Sequence, residues 1–158
     1  MSLLKWGQRL KIHVNINKRK KDSMKINATL NEGYRVEMDV GGYDYILDQS
    51  KEKGGTEQGT NPSALLMSSI LGCKAMVAKG FLEARKVDFD TIESSIDFEV
   101  SGSNMRPTAE ASVYVKVIGA DMDDKLKQQI QQIVETGCPV ANLMDPEKST
   151  IETKVEVA

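Results

Sequence analysis

Residues 61–86 read NPSALLMSSILGCKAMVAKGFLEARK. Asn61 can cap a helix, and Pro62 suits its first turn, where the missing N–H costs nothing. Ser63 to Ala78 carries a single charge, Lys74. Leu66, Ile70, Cys73, Val77 and Phe81 form one stripe at helical spacing, while Leu65, Leu71, Met76 and Leu82 cover much of the remaining surface. A helix apolar nearly all round has to be buried. The pattern predicts a central helix over about 62–86, roughly 37 Å long at the standard rise. Gly72 and Gly80 inside it cost ~1 kcal/mol each in propensity, which points to close backbone packing there.

Extended structure surrounds this helix. Leu10, Ile12, Val14 and Ile16 alternate, as do Met24, Ile26, Ala28 and Leu30, with the charged turn Asn17 to Ser23 between them. That predicts an N-terminal β-hairpin over about 10–30. Val36, Met38 and Val40 alternate up to the Gly41-Gly42 turn, and Tyr43 to Leu47 resumes the strand. A polar, glycine-containing loop runs from Asp48 to Thr60. Beyond the helix, Ile92, Ile96, Phe98 and Val100 share a face. Ala109, Ala111, Val113, Val115 and Val117 make the inner face of a second strand, reached through the Ser101–Asn104 turn. Asp121 to Asp124 opens an amphipathic helix bearing Leu126, Ile130, Ile133 and Val134, which stops at Gly137. A shorter helical piece over Pro139 to Met144 and a last strand, Ile151 to Val157, complete the chain.

Helices set among strands without repeating βαβ units indicate an α+β fold, with antiparallel sheets around the buried central helix. No linker or repeat divides residues 1–158, so a single domain is expected. One small sheet cannot cover so apolar a helix, and a second subunit is its natural cover.

Composition narrows the functional classes. The 158 residues are 40% hydrophobic and 28% charged, ordinary for a globular protein. No apolar run is read as approaching the roughly 18 residues a membrane span needs. The first twenty residues scatter charges where a secretory signal needs an unbroken apolar stretch, so a cytoplasmic location is expected. A single histidine, His13, excludes a histidine-cluster metal site, and neither metal nor cofactor is expected. Residues 1–25 hold eight Lys or Arg against one acid, Asp22. No aromatic residue interleaves with that run to stack on bases, so a solvated hairpin turn is favoured over nucleic-acid binding.

The two cysteines, Cys73 and Cys138, lie far apart and fit neither a zinc ribbon nor a disulfide-rich scaffold. They are either buried hydrophobes or a reactive pair. Cys73 sits on the apolar stripe. Cys138, in Gly137-Cys138-Pro139, stands where a new helix begins, and helix N-termini favour a thiolate. Residue chemistry alone leaves both readings open.

The stretches GTNPSALLMSSILGC (Gly59 to Cys73) and GCPVANLM (Gly137 to Met144) resemble the two cysteine motifs of the OsmC/Ohr family, the osmotically inducible protein C and organic hydroperoxide resistance proteins. The similarity in element order spans about Ile26 to Val157. It implies an OsmC-like fold, an interlocked homodimer around paired central helices, and active sites at the subunit interface. It also implies a thiol peroxidase. Cys73 would attack an organic hydroperoxide, Cys138 would form a disulfide with it, and a dithiol would restore both thiols. Leu66, Met67, Ile70 and Met144 could line the apolar pocket such a substrate needs. Two departures stand out. Ser63 occupies the position of the family's activating glutamate. Arg35 lies near, though a few residues past, the place of the family's arginine, with Glu32 nearer that place and Glu57 a possible substitute acid. The alternative is a non-catalytic homodimer of the same fold that binds a small apolar or thiol ligand.

Overall fold

The computed structural model describes residues 24–158. The first strand of the expected hairpin and its charged turn lie outside the described residues. Its second strand is β1 (Ile26–Leu30). β1 pairs antiparallel with β2 (Val36–Val40), and β2 with β3 (Tyr43–Leu47). A second sheet contains β4 (Thr91–Ser103), β5 (Arg106–Ile118) and β6 (Ser149–Val157), in that order. Two helices complete the α+β fold, α1 (Pro62–Arg85) and α2 (Asp124–Thr136). One pairing departs from the antiparallel expectation: β6 runs parallel to β5. The chain leaves the far end of β5, passes through α2 and returns to the end of the sheet at which β5 began, which is the crossover a parallel neighbour requires.

Local chemistry sets the ends of α1. Asn61 Oδ1 accepts from Ala64 N at 2.9 Å, Pro62 takes the first turn, and the chain leaves through Lys86 at φ 56°. Its buried residues are Met67, Ile70, Lys74, Ala78 and Leu82. This face is rotated by about one position from the expected stripe, because the second sheet and α2 cover one side only. Leu66 and Met76 remain 43% and 74% exposed. A Cβ added at Gly72 or Gly80 would meet nothing within 4 Å among the described residues, so these do not supply the close packing expected there. Contrary to the sequence reading, α1 is long and apolar enough to cross a membrane by length and composition alone. The core helix of a globular domain passes the same test, and α1 packs one face on protein.

That core is built by alternation against helical spacing. Val113, Val115 and Val117 of β5 point inward and meet Ala78 and Leu82 of α1, Ile130 and Val134 of α2, and Met122. α2 starts at Asp123, whose Oδ1 accepts from Leu126 N at 2.7 Å. It stops at Gly137, where a Cβ would come within 2.5 Å of the Ile133 carbonyl oxygen. Gln131 ties α2 to the outer edge of β6. Its Nε2 donates to Thr153 O at 2.6 Å and its Oε1 accepts from Val155 N at 2.7 Å.

The first sheet stands apart. Among the described residues it makes no more than marginal contact with α1, α2 or the second sheet. Its link to the body runs through a bridge between Leu47 and Thr60. Gly59 precedes that bridge because a Cβ there would lie 2.3 Å from Ile46 O. The loop itself is wound around buried Asp48, whose carboxylate accepts from Gln49 N, Thr56 N, Thr56 Oγ1 and Gln58 N at 2.6–3.2 Å. The Thr56 hydroxyl chiefly, with the backbone N–H groups and against the opposing effect of burial, lowers that carboxyl to about 2.

Candidate active site at the thiol pair

The crossover that makes β6 parallel also carries Cys138 back onto α1. Cys138 follows the last turn of α2 and is fully buried, its Sγ 4.0 Å from the Ile70 carbonyl oxygen of α1. Cys73 lies one helical turn further along α1, half-buried, and its thiol is a neighbour of Cys138. Both cysteines are reduced. Two residues distant in the chain therefore share one site.

Their environments differ. Burial above all, and then the adjacent Cys73 side chain, push the Cys138 thiol up, while the N–H of Ala141, 3.3 Å from Sγ, pulls the other way. This corrects the expectation of a helix N-terminus that favours the thiolate. The segment after Pro139 is not a helix over Pro139 to Met144 but one 3₁₀ turn, Ala141–Leu143. A single turn has little aligned dipole to offer, and desolvation of the charged form prevails.

Lys74, beside Cys73 in sequence, is the lone charge of the apolar run. It is fully buried. Its Nζ donates to the carbonyl oxygens of Val134 and Glu135 at 3.0 and 3.1 Å, in the last turn of α2. Those carbonyls have no partner within their own helix, and α2 has no basic residue of its own in its last turn. Burial lowers the Lys74 pKa, opposed by the negative potential of Cys138, Glu135 and Cys73. A cleft of about 410 Å³ opens beside it, walled by Glu135, Ala141, Asn142, Met144 and Ile151.

The other expected site residues are placed as follows. Met67 and Ile70 are wholly buried, with Met144 packed against them, so they fill the core; Met144 alone of the expected pocket residues also walls the cleft. Leu66 is on the exposed side of α1. Arg35 is not brought to the thiols of its own chain. It precedes β2 in the first sheet and pairs with Glu37, Nη1 to Oε1 at 2.5 Å, while its buried Nε has no partner among the described residues. Ser63 occupies the first turn of α1. Glu57 is exposed and holds the loop through Lys51, accepting from its backbone N at 3.3 Å and pairing with its ammonium at 3.5 Å. No three His, Cys, Asp or Glu side chains gather as metal ligands among the described residues.

A protein-family model described as OsmC-like protein matches residues 54–154, which include both cysteines. No curated protein matches the chain. Solved structures do. An OsmC-like protein of Mycoplasma pneumoniae superposes with a TM-score of 0.72 at 18% identity, over 88% of this chain and 99% of the other. An organic hydroperoxide resistance protein OsmC of Legionella pneumophila gives 0.70 at 14% identity, over 88% and 100%. An organic hydroperoxide resistance protein of Elizabethkingia anophelis, with thiocyanate bound, gives 0.66 at 17% identity, over 86% and 95%. At such identities these likenesses establish the shared fold.

Proposed function

Since this chain belongs to the OsmC-like protein family, we propose that it is a cysteine-based thiol peroxidase reducing organic hydroperoxides through a Cys73–Cys138 disulfide. The observation that carries the reading is the juxtaposition of the two thiols, one half-buried and one fully buried with its pKa raised. The names of solved neighbours, organic hydroperoxide resistance proteins among them, support the substrate class.

The Cys73 thiolate attacks the outer oxygen of the hydroperoxide. The O–O bond breaks, the alkoxide leaves and takes a proton as the alcohol, and Cys73 becomes a sulfenic acid. Cys138 then attacks the sulfenic sulfur, forming the disulfide and releasing water. A small dithiol reduces that disulfide by exchange and is itself oxidised. A buried, protonated Cys138 suits the second step better than the first, since it stays out of competition for the peroxide until a sulfenic acid is beside it.

The functional unit is a cytoplasmic homodimer. The uncovered faces of α1 around Leu66, Gly72, Met76 and Gly80 support it, as does a first sheet with little of its own chain to pack against. Arg35 is assigned to stabilising the thiolate across that interface, its Nε having no acceptor among the described residues.

The alternative, a non-catalytic dimer binding a small apolar or thiol ligand, is favoured by Ser63 in the place of the family's acid and by the Arg35–Glu37 pair. Consumption of cumene hydroperoxide with a dithiol reductant decides between them. Turnover lost in Cys73→Ser supports the peroxidase. Wild-type protein that reacts no faster than a free thiol refutes it.

A further inference from the structure

The ammonium of Lys74 is a buried cation among groups that make unusual company for one. Two of its three N–H donors are taken by carbonyls of the α2 C-terminus. No carboxylate lies within ion-pair distance of it among the described residues. An isolated ammonium is costly to bury, and two neutral carbonyls compensate only part of the lost hydration. The titratable groups around it are Cys73 on its own helix, Glu135 on α2 and Cys138 on the segment that follows. Of the three, Glu135 is exposed to solvent, which screens its charge. The thiols are the two groups in this enclosure whose ionisation would give the cation a counter-charge.

We propose that Lys74 is the positioning residue of the thiol pair: its ammonium, clamped on the Val134 and Glu135 carbonyls, holds the start of the Cys138 segment against α1 and supplies the positive charge that favours a thiolate beside it. The assignment deepens the peroxidase reading and rests on it for the identity of the reacting centre. Within one chain Arg35 pairs with Glu37, whereas Lys74 is next to Cys73 on α1 and holds the α2 carbonyls four and three residues before Cys138. One residue thus joins a structural role, satisfying orphan carbonyls, to an electrostatic one.

The two roles separate experimentally. The rate of iodoacetamide alkylation of fully reduced protein, followed against pH with site mapping, reports the pKa of the more reactive thiol without any peroxide. Lys74→Met keeps the length of the side chain and removes the charge. It is expected to raise that pKa by about one unit, the lower end for loss of an adjacent opposite charge, and to slow alkylation about tenfold below the pKa. Lys74→Arg is expected to stay close to wild type. An unchanged thiol pKa in folded Lys74→Met overturns the proposal.

If Lys74→Met fails to fold, reciprocity serves instead. The Lys74 side chain, labelled with carbon-13 and assigned by its absence in Lys74→Arg, is titrated by NMR in reduced protein and after both thiols are capped with methyl methanethiosulfonate. The lysine pKa is expected to fall on capping, and equal values overturn the proposal. Neither measurement uses turnover. A shifted thiol pKa in a protein without peroxidase activity would defeat the functional reading and leave this one standing, and peroxidase activity with an unshifted pKa would do the reverse.

Discussion

Gln131 offers a measurement of how firmly α2 is fastened to the sheet. Its amide donates to Thr153 O and accepts from Val155 N, two contacts on the otherwise open edge of β6. Gln131→Ala removes both. At about 1 kcal/mol net per hydrogen bond the loss is ~2 kcal/mol. Thr153 is buried and Val155 half-buried, so their backbone groups recover water incompletely, and the cost rises to roughly 2–3 kcal/mol. For a chain of this length each kcal/mol moves the melting temperature by about 2–4 °C, giving a fall of roughly 4–12 °C at fixed protein concentration. Gln131→Glu is the informative companion. A carboxylate still accepts from Val155 N but has nothing to donate to Thr153 O, so its loss should fall between wild type and alanine at pH 7. Thermal and urea unfolding, both followed by circular dichroism, supply the numbers. An alanine variant within about 0.5 kcal/mol of wild type would refute the reasoning, because surface substitutions without a structural role fall in that range.

Asp48 should make the loop before α1 acid-sensitive. A carboxyl held at about 2, below its ordinary 3.8, stabilises the fold fully above the ordinary value, and the contribution disappears as pH falls through the folded one. Protection of the Gln49, Thr56 and Gln58 amides, measured as exchange relative to the intrinsic rate at each pH, should therefore fall between about pH 4 and 2, and Asp48→Asn should show reduced protection already at pH 7. Met76→Glu, placing a charge on the uncovered side of α1, should turn a dimer into a monomer in sedimentation velocity at micromolar concentration; a wild-type monomer would contradict the dimer outright. Cys138→Ser should leave one turnover intact and let Cys73 advance to sulfinic acid, detected by mass spectrometry after one equivalent of organic hydroperoxide.

The limits of α1 and the inner face of β5 were legible because local chemistry sets them. Asn61-Pro62 marks a helix start on any scaffold, and Ala111 to Val117 alternates at a strand's period whatever lies opposite. The phase of α1 was not legible. With apolar residues all round, the 66/70/73/77/81 stripe and the buried 67/70/74/78/82 face differ by one step of rotation, and only the position of the second sheet distinguishes them. The parallel pairing of β6 and the carbonyl partners of Lys74 were hidden for a related reason, since each depends on residues far along the chain. The motifs single out two cysteines that the fold brings side by side. The upward shift of the Cys138 thiol is not legible there, because a helix-start rule is local while burial is not. For Lys74 the signal was present, a single ammonium in sixteen otherwise uncharged positions, but it came without an address.

The parallel pairing of β5 and β6 has a mechanical consequence for the sulfur movement that the proposed disulfide would require. Cys138 hangs between α2, bolted to the sheet by Gln131, and β6, registered along β5 from Ser149 to Val157. The stretch from Gly137 to Lys148 is therefore a short span fixed at both abutments. Travel of the sulfur has to be taken up within that span, where Asn142 binds Thr136 O and the Cys138 carbonyl at 3.0 and 3.1 Å. Strain from the proposed sulfur–sulfur bond would be confined there like flexure in a clamped beam, away from the first sheet, which joins the body through Leu47 and Thr60.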